Sequence, residues 1–321
     1  MITEIQITNF RGIANGTVSG LKLLTALVGA SNSGKSTILE ALYLDGCRGH
    51  LAALAKVARV RGWVGPETVR AITYRNRRQC VIMANQRWKL ELDVGQDGKS
   101  ISVHFWEDIY QPKKTLLSFD DSGGTPSDKE NRLALDAVFI DIGTIHEVEG
   151  FEKLYSDAIE TGTAVEEHLT ALCAMLRAAT KQLRILVKDN RPLLYTIDLH
   201  GSCALHFAGD GMRRLFKVAC FLAVAKGRLV LIEEPECFQH PRALEELVKL
   251  IWVAIAQGTQ IVFSTHSLEL LAKVFEKQKG RDLDKACLIR TRLTDGKLIT
   301  GVIDGPEASE RLEDVGEDLR Q

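Results

Sequence analysis

Nowhere does the chain approach 18 consecutive apolar residues, so no membrane-spanning helix is expected. Its opening, MITEIQITNF, lacks the basic-then-apolar pattern of a secretory leader. The seven cysteines (Cys47, Cys80, Cys173, Cys203, Cys220, Cys237, Cys287) are odd in number, scattered and without a CxxC pair. That excludes a disulfide framework or a zinc site and predicts reduced thiols in a cytoplasmic protein. No heptad stretch, internal repeat or low-complexity tract occurs. Neither charge sign dominates: 41 Lys and Arg face 42 Asp and Glu, a net charge of -1, so overall charge selects no partner. What remains is 321 residues, 45% apolar and 26% charged, the balance of a globular chain. That length allows one large α/β domain or two small ones and buries a sizeable core without staples.

Ile2, Ile5, Ile7 and Phe10 start a strand-like run, and residues 23–28 form a second that ends at a glycine. Residues 38–44 and 51–61 have helical texture. Between 71 and about 105 three β-rich runs follow, the last two separated by Asp97-Gly98, a hairpin signal. This predicts an antiparallel lobe. Residues 111–131 are polar and Gly/Ser/Pro-bearing and read as a loop or link, 137–142 as a short strand, and 151–190 as helical. Short buried strands at 229–232 and 260–264, alternating with helices, predict a mostly parallel sheet covered on both faces. Asp295-Gly296 inside 288–303 predicts a late hairpin.

Gly29-Ala30-Ser31-Asn32-Ser33-Gly34-Lys35-Ser36-Thr37 matches G-x-x-x-x-G-K-[ST] between an apolar strand and a helical run. Glycines at those spacings let backbone N–H groups turn inward around phosphates, and the following helix N-terminus adds partial positive charge. Lys35 supplies a cation and Ser36 a hydroxyl for Mg2+. Further on, four apolar residues run into Glu233-Glu234-Pro235-Glu236. Carboxylates at the end of a buried strand stand at the ligand edge of an α/β sheet. Glu233 suits a metal and Glu234 suits a base for an attacking water. Ser264-Thr265-His266-Ser267 ends the next apolar strand, where His266 could reach a γ-phosphate.

Read in order, Asn9-Phe10-Arg11-Gly12, the phosphate loop, Gly209-Asp210-Gly211-Met212-Arg213-Arg214, Ile232-Glu233-Glu234-Pro235-Glu236, His240-Pro241 and Ser264-Thr265-His266-Ser267 span nearly the whole chain. The set resembles the ABC-type ATPases of the SMC/RecF/OLD group, in particular short bacterial AAA-like members. Glu307-Ala308-Ser309-Glu310 and Glu317-Asp318-Leu319-Arg320 look like the tail of those small ATPases.

The resemblance implies an α/β P-loop NTPase of ABC-ATPase head type: a mostly parallel core sheet with helices on both faces, plus an antiparallel β lobe. It implies one head over residues 1–321, with 1–47 and 200–321 forming the P-loop core, 62–110 the β lobe and 145–190 a helical lobe. It implies ATP and Mg2+ as ligands, cradled by Gly29, Asn32, Ser33, Gly34, Lys35, Ser36 and Thr37, with Glu233 beside the metal. Two heads would pair head-to-tail, each nucleotide meeting the partner's signature, carried over here to Gly209-Asp210-Gly211. Glu234 would be the general base, His266 the γ-phosphate sensor, Arg11 a neighbour of the nucleotide, and His240-Pro241 part of the loop linking the two sites.

Three departures stand out. Gly209 occupies the usual serine of the signature, Glu233 the usual aspartate, and the glutamine that relatives place beside Mg2+ has only Gln79, Gln86 and Gln111 as candidates. A coiled-coil arm, a zinc-hook CxxC and a Toprim-type nuclease domain are all absent from the residues given. The expected function is an ATPase that dimerises around ATP and couples hydrolysis to DNA engagement or to a separately encoded effector such as a nuclease, in DNA repair or antiviral defence. The alternative is a nucleotide-gated scaffold with little turnover. A transporter ATPase would carry Leu-Ser-Gly-Gly-Gln, and a GTPase Asn-Lys-x-Asp; neither occurs. A small-molecule kinase would not need the acidic pair followed by a strand and His266.

Residues 48–89 carry ten cations (Arg48, Lys56, Arg59, Arg61, Arg70, Arg75, Arg77, Arg78, Arg87, Lys89) against Glu67 alone, with Trp63, Tyr74 and Trp88 interleaved. Such clustering marks a candidate nucleic-acid contact, or a face for an acidic protein. Replacing Arg75, Arg77 and Arg78 together is expected to weaken DNA binding and flatten its salt dependence. A DNA titration unchanged by the triple substitution removes this segment from consideration.

Overall fold

The computed structural model describes residues 1–60, 72–95, 101–106, 114–119, 137–141, 151–176, 180–188, 191–278, 281–313 and 318–320. The chain opens with strands β1 (Glu4–Phe10), β2 (Ile13–Ser19) and β3 (Leu24–Val28). Helices α1 (Lys35–Gly46) and α2 (Leu51–Val60) follow, then β4 (Gln79–Ala84), β5 (Trp88–Val94), β6 (Ile101–Trp106), β7 (Lys114–Phe119) and β8 (Ala137–Ile140). Next come α3 (Phe151–Ile159), α4 (Thr163–Leu176) and the strands β9 (Gln182–Lys188), β10 (Arg191–Asp198) and β11 (Gly201–Ala204). The remainder is α5 (Asp210–Val224), β12 (Leu229–Glu233), α6 (Pro241–Ala256), β13 (Gln260–Ser264), α7 (Leu268–Phe275), β14 (Ala286–Thr294), β15 (Lys297–Asp304) and α8 (Gly305–Glu313).

One sheet of twelve strands runs in the order β7-β6-β5-β4-β1-β2-β15-β14-β3-β13-β12-β8. Neighbours from β14 through β3, β13 and β12 to β8 are parallel. Their composition explains this. Every residue of β3, β12 and β13 is buried, as strands covered on both faces require. On β12, Val230 and Ile232 join a core with α3 through α8, while Leu229 and Leu231 join a second core with α1 and α2. Helix α1 lies beneath the sheet with ten of its twelve residues buried.

The antiparallel strands at 79–106 form as expected. Strand β4 pairs with β1, so they extend the main sheet. Residues 114–119, read as loop, form β7 against β6. The apex at Asp97-Gly98 lies outside the described residues, though β5 and β6 pair antiparallel as that signal predicts. The helical reading of 151–190 holds for α3 and α4 and fails at 182–188. There Leu183 is buried between exposed Gln182 and Arg184, and the run pairs with β10 in a three-stranded sheet. A partner strand overrides the local pattern. The late hairpin is β14–β15, its turn at Asp295 and Gly296 with φ of 48° and 79°, the two positive values that a type I′ turn demands. Among the described residues no helix is long and apolar enough to cross a membrane.

Asp45 sits near the end of α1, its Oδ1 buried without a hydrogen-bond partner. Burial pushes its carboxyl from the ordinary 3.8 up to about 7, against the opposing pull of Arg48. A carboxyl that holds its proton more tightly when folded favours folding below its unfolded pKa, so stability falls as pH rises from 3.8 toward about 7. Each pKa unit is worth ~1.4 kcal/mol. Asp45→Asn is expected to flatten that slope, read as urea midpoints across the window.

Candidate functional site

Strands β3, β13 and β12 are consecutive and parallel, so their C-terminal ends lie side by side at one edge of the sheet. After β3, the chain turns through Gly29 (φ 144°), Asn32 (φ 62°) and Gly34 (φ 95°) into α1. A Cβ on Gly29 would stand 2.3 Å from the Thr291 carbonyl and 2.8 Å from Ser33 Oγ, so only glycine fits. Thr291 Oγ1 donates to the Val28 carbonyl at 3.0 Å, which leaves Ser33 Oγ to donate to it at 2.8 Å. Strand β14 thereby staples the loop. No side chain caps α1, so its first N–H groups are available to an anion. Lys35 Nζ folds back onto the carbonyls of Gly29 (2.8 Å) and Ala30 (2.9 Å) and onto Ser33 Oγ (3.4 Å). Burial lowers its pKa, and the charge of Glu234 opposes that shift. Ser36 is half-buried and Thr37 buried on the first turn.

Strand β12 ends at buried Glu233, and Glu234 then takes φ 45°, a left-handed conformation unusual for a non-glycine residue. The Glu234 N–H donates to the Ser264 carbonyl at 3.1 Å. The Cys237 thiol donates to Glu234 Oε2 at 3.1 Å, and His266 Nε2 stands 4.0 Å from Oε1. The nearby carboxylate and burial raise the Cys237 thiol to about 12, burial being the larger cause. Glu236 Oε1 accepts from Thr265 Oγ1 (2.6 Å) and from the His266 N–H (2.9 Å).

Arg214, 1% exposed on α5, donates through Nη2 to the carbonyls of Glu233 (2.5 Å) and Glu234 (2.9 Å). The same helix opens at Gly209-Asp210-Gly211. Gln239 Nε2 donates to the Gly211 carbonyl at 3.1 Å, and a Cβ on Gly211 would lie 2.3 Å from the Phe238 carbonyl. The glycine turn and the acidic loop are therefore one packed unit. Gly209 has φ -59°, and nothing lies within 4 Å of where a Cβ would stand, so there is room for the serine it replaces. Asp210 pairs with Arg213.

The other expected residues fall as follows. Arg11 follows β1 with φ 50° and its guanidinium pairs with buried Glu40 on α1, which ties it to the helix behind the phosphate loop. His240 caps α6 through Nδ1, which accepts from the Arg242 N–H at 3.3 Å ahead of Pro241. Gln79 and Gln86 are spent on the sheet, bonding to Glu91 and Asp93 and to Glu4, and Gln111 lies outside the described residues. Neither described glutamine is engaged at the phosphate loop.

Among the described residues the cations of the basic segment are spread over several separate contacts. Arg48 stacks over Trp88 (5.0 Å), Lys56 donates to the Phe139 carbonyl near Asp141, and Lys89 pairs with Glu91 beneath Trp106. Arg75, Arg77 and Arg78 are exposed just ahead of β4, and exposed Arg87 follows its other end. Arg61, Trp63, Glu67, Arg70 and the Arg59 side chain lie outside the described residues. Strand directions decide where the three arginines stand. β14 runs with β3, β15 against β14, β2 with β15, β1 against β2 and β4 against β1. The start of β4 thus shares the phosphate-loop edge.

Sequence reasoning assigned no role to Arg214, Thr291, Glu236, Cys237 or Arg320. Arg214 and Glu236 lie inside the motifs quoted, but their partners are 19 to 30 residues away. Mg2+ fits the donors present. A hydroxyl at Ser36 and a carboxylate at Glu233 are hard oxygen ligands of the kind that hold Mg2+ together with phosphates and water. Among the described residues no group of three or more His, Cys, Asp or Glu could hold a metal unaided.

Two segments match family models: residues 1–44 match "AAA ATPase domain", and residues 193–272 match "AAA domain, putative AbiEii toxin, Type IV TA system". Uncharacterized protein MJECL10 of Methanocaldococcus jannaschii is 26% identical over 221 residues, covering 61% of this chain and 95% of that protein. Uncharacterized protein MJECL11 of the same organism is 27% identical over 113 residues, covering 35% and 98%. A crystal structure of the SmcHead bound to the C-winged helix domain of ScpA superposes with TM-score 0.60 at 14% identity, covering 94% of this chain and 98% of that one. The Smc head domain with an extended coiled coil, bound to the C-terminal domain of ScpA derived from Pyrococcus furiosus, gives 0.58 at 12%, covering 98% and 99%. The fold is therefore that of the SMC heads. Two segments of the chain, 1–44 and 193–272, are in addition similar in sequence to AAA ATPase domains.

Gly211→Ala is expected to destabilise the chain by ~1–3 kcal/mol, because its methyl meets a backbone oxygen that cannot rotate away. Chemical denaturation measures this.

Proposed function

We propose that this chain binds ATP with Mg2+ at the loop 29–37, pairs head-to-tail with a second copy around the nucleotide, and hydrolyses it. The observation that carries the reading is the meeting of Glu234 and His266, 4.0 Å apart, at strand ends beside the Lys35 loop. On this reading Gly29, Asn32, Ser33 and Gly34 present the loop backbone to the phosphates, and Lys35 leaves its carbonyls for them. Thr37 belongs to the same phosphate cradle, and Ser36 and Glu233 would hold Mg2+, which would neutralise phosphate charge when bound. Glu234 orients the attacking water and accepts its proton, and His266 donates to the γ-phosphate, so that ATP and water give ADP and phosphate. Arg11 steadies α1 through Glu40 rather than reaching the nucleotide first. The turn Gly209-Asp210-Gly211 offers backbone N–H groups to the partner's nucleotide.

The closed pair then engages DNA or a separately encoded effector, a nuclease among the candidates. The SMC heads above are bound to ScpA, which supports a protein partner for this head too. Arg75, Arg77 and Arg78 at the nucleotide edge support a phosphate-bearing one. Genome maintenance and antiviral defence are the pathways proposed, in the cytoplasm. The second reading, a nucleotide-gated scaffold with little turnover, is favoured by one contact: the Cys237 thiol occupies Glu234 Oε2.

Lys35→Ala is expected to weaken ATP binding by roughly two orders of magnitude, the value of a charge-assisted hydrogen bond. Glu234→Gln is expected to double its solution mass with Mg-ATP in light scattering, while ATP cleavage stops. Unchanged calorimetric affinity in the first variant contradicts the loop assignment. A mass indifferent to ATP in the second favours the scaffold.

A further inference from the structure

His266 is held by its backbone from two sides. Its N–H is fixed by Glu236 at 2.9 Å. Its carbonyl accepts from Arg320 Nη1 at 2.9 Å, across 54 residues of sequence. Arg320 is itself set by Asp318: Nε donates to Oδ1 at 2.8 Å and Nη2 to Oδ2 at 2.7 Å, a two-point fork, and the Arg320 N–H adds a third bond at 3.0 Å. Between them Leu319 is fully buried in the core shared by α5, α6 and α7. A planar guanidinium suits this task. One edge, through two of its nitrogens, is locked by one carboxylate, and the third nitrogen is then aimed at a single point. A surface arginine with no function would gain little from such an arrangement.

We propose that Arg320 is a positioning residue for His266, with Asp318 as its brace and Leu319 as its anchor. It fixes the backbone from which the imidazole projects toward Glu234, and so couples the segment 318–320 to the step at the γ-phosphate. This rests on the reading of Glu234 and His266 given above. The contact is specific in its direction. It touches neither the phosphate loop nor the glycine turn, so its loss leaves nucleotide binding alone and acts on cleavage. Misplacing a reacting group by about 1 Å costs on the order of 100-fold in rate. Displacement of 318–320 by any partner would act on cleavage in the same way.

The test compares Arg320→Ala, Arg320→Lys and Asp318→Asn with Arg311→Ala, whose partner Glu307 lies on the surface of α8. Two quantities are read: the His266 ring NMR signals, assigned with His266→Gln, and single-turnover ATP cleavage beside ATP affinity. Arg320→Ala and Asp318→Asn are expected to shift the His266 signals and to slow cleavage on the order of 10-fold to 100-fold with ATP affinity and melting temperature unchanged. Arg320→Lys, which cannot hold Asp318 and the carbonyl together, is expected to rescue neither fully, and Arg311→Ala to change nothing. Unmoved His266 signals overturn the proposal. So does an unchanged rate in Arg320→Ala when Glu234→Gln is slow. If Glu234→Gln cleaves as fast as the unsubstituted protein, the base assignment fails instead, and the His266 signals alone decide the positioning.

Discussion

Parallel pairing of β3, β13 and β12 is the constraint on which the site depends. Each of these strands is buried on both faces, so none can slide or flip without placing apolar side chains in water. The ladder sets Leu27 beside Ser264 and Ser264 beside Glu233. Whatever follows those three positions is therefore brought to one place. That is how a glycine loop at 29–34, a carboxylate at 234 and an imidazole at 266 become neighbours. Helix α1, buried beneath the sheet, holds the loop from below, and Thr291 on β14 staples it from the side.

Arg214 extends the constraint to the helix behind. Its charge is almost wholly removed from water, which lowers its pKa, and only Nη2 finds acceptors; Nε and Nη1 have no hydrogen-bond partner. A buried cation so incompletely paired is costly. What it achieves is a rigid tie between α5 and the carbonyls of Glu233 and Glu234. The glycine turn at the start of α5 and the acidic loop cannot shift independently, and the close approach of Gly211 to Phe238 reinforces this. A contact made by a partner at the glycine turn would be felt at Glu234. Arg320 does for His266 what Arg214 does for the acids: an arginine from elsewhere in the chain aimed at a backbone carbonyl.

Much of this was legible in the residues. The buried strands at 24–28, 229–233 and 260–264 announce themselves by short runs of mostly apolar residues, and the phosphate loop by glycines whose backbone angles no other residue adopts easily. Asp295-Gly296 marked its hairpin correctly because two positive φ angles are needed there. The misreadings share a cause. Strand β9 looked helical and β7 looked like loop because each is stabilised by hydrogen bonds to another strand, information absent from the local pattern. The cations of residues 48–89 are adjacent in sequence, but that does not fix where they stand in space. Strand β4 carries its two ends to opposite edges of the sheet.

By itself the sequence determined which residues are the candidates for chemistry: the glycine-lysine loop, the paired glutamates, the histidine after a buried strand. These are local facts, since a phosphate cradle needs certain backbone angles and a strand-end acid needs an apolar strand before it. Only the tertiary structure decided what holds those residues. Arg11 is committed to Glu40, Gln79 and Gln86 to the sheet, Cys237 to Glu234, and Arg320 to His266. The physical reason is that a hydrogen bond needs an acceptor within about 3 Å. Which acceptor that is depends on how distant segments pack, over 54 residues in the case of Arg320.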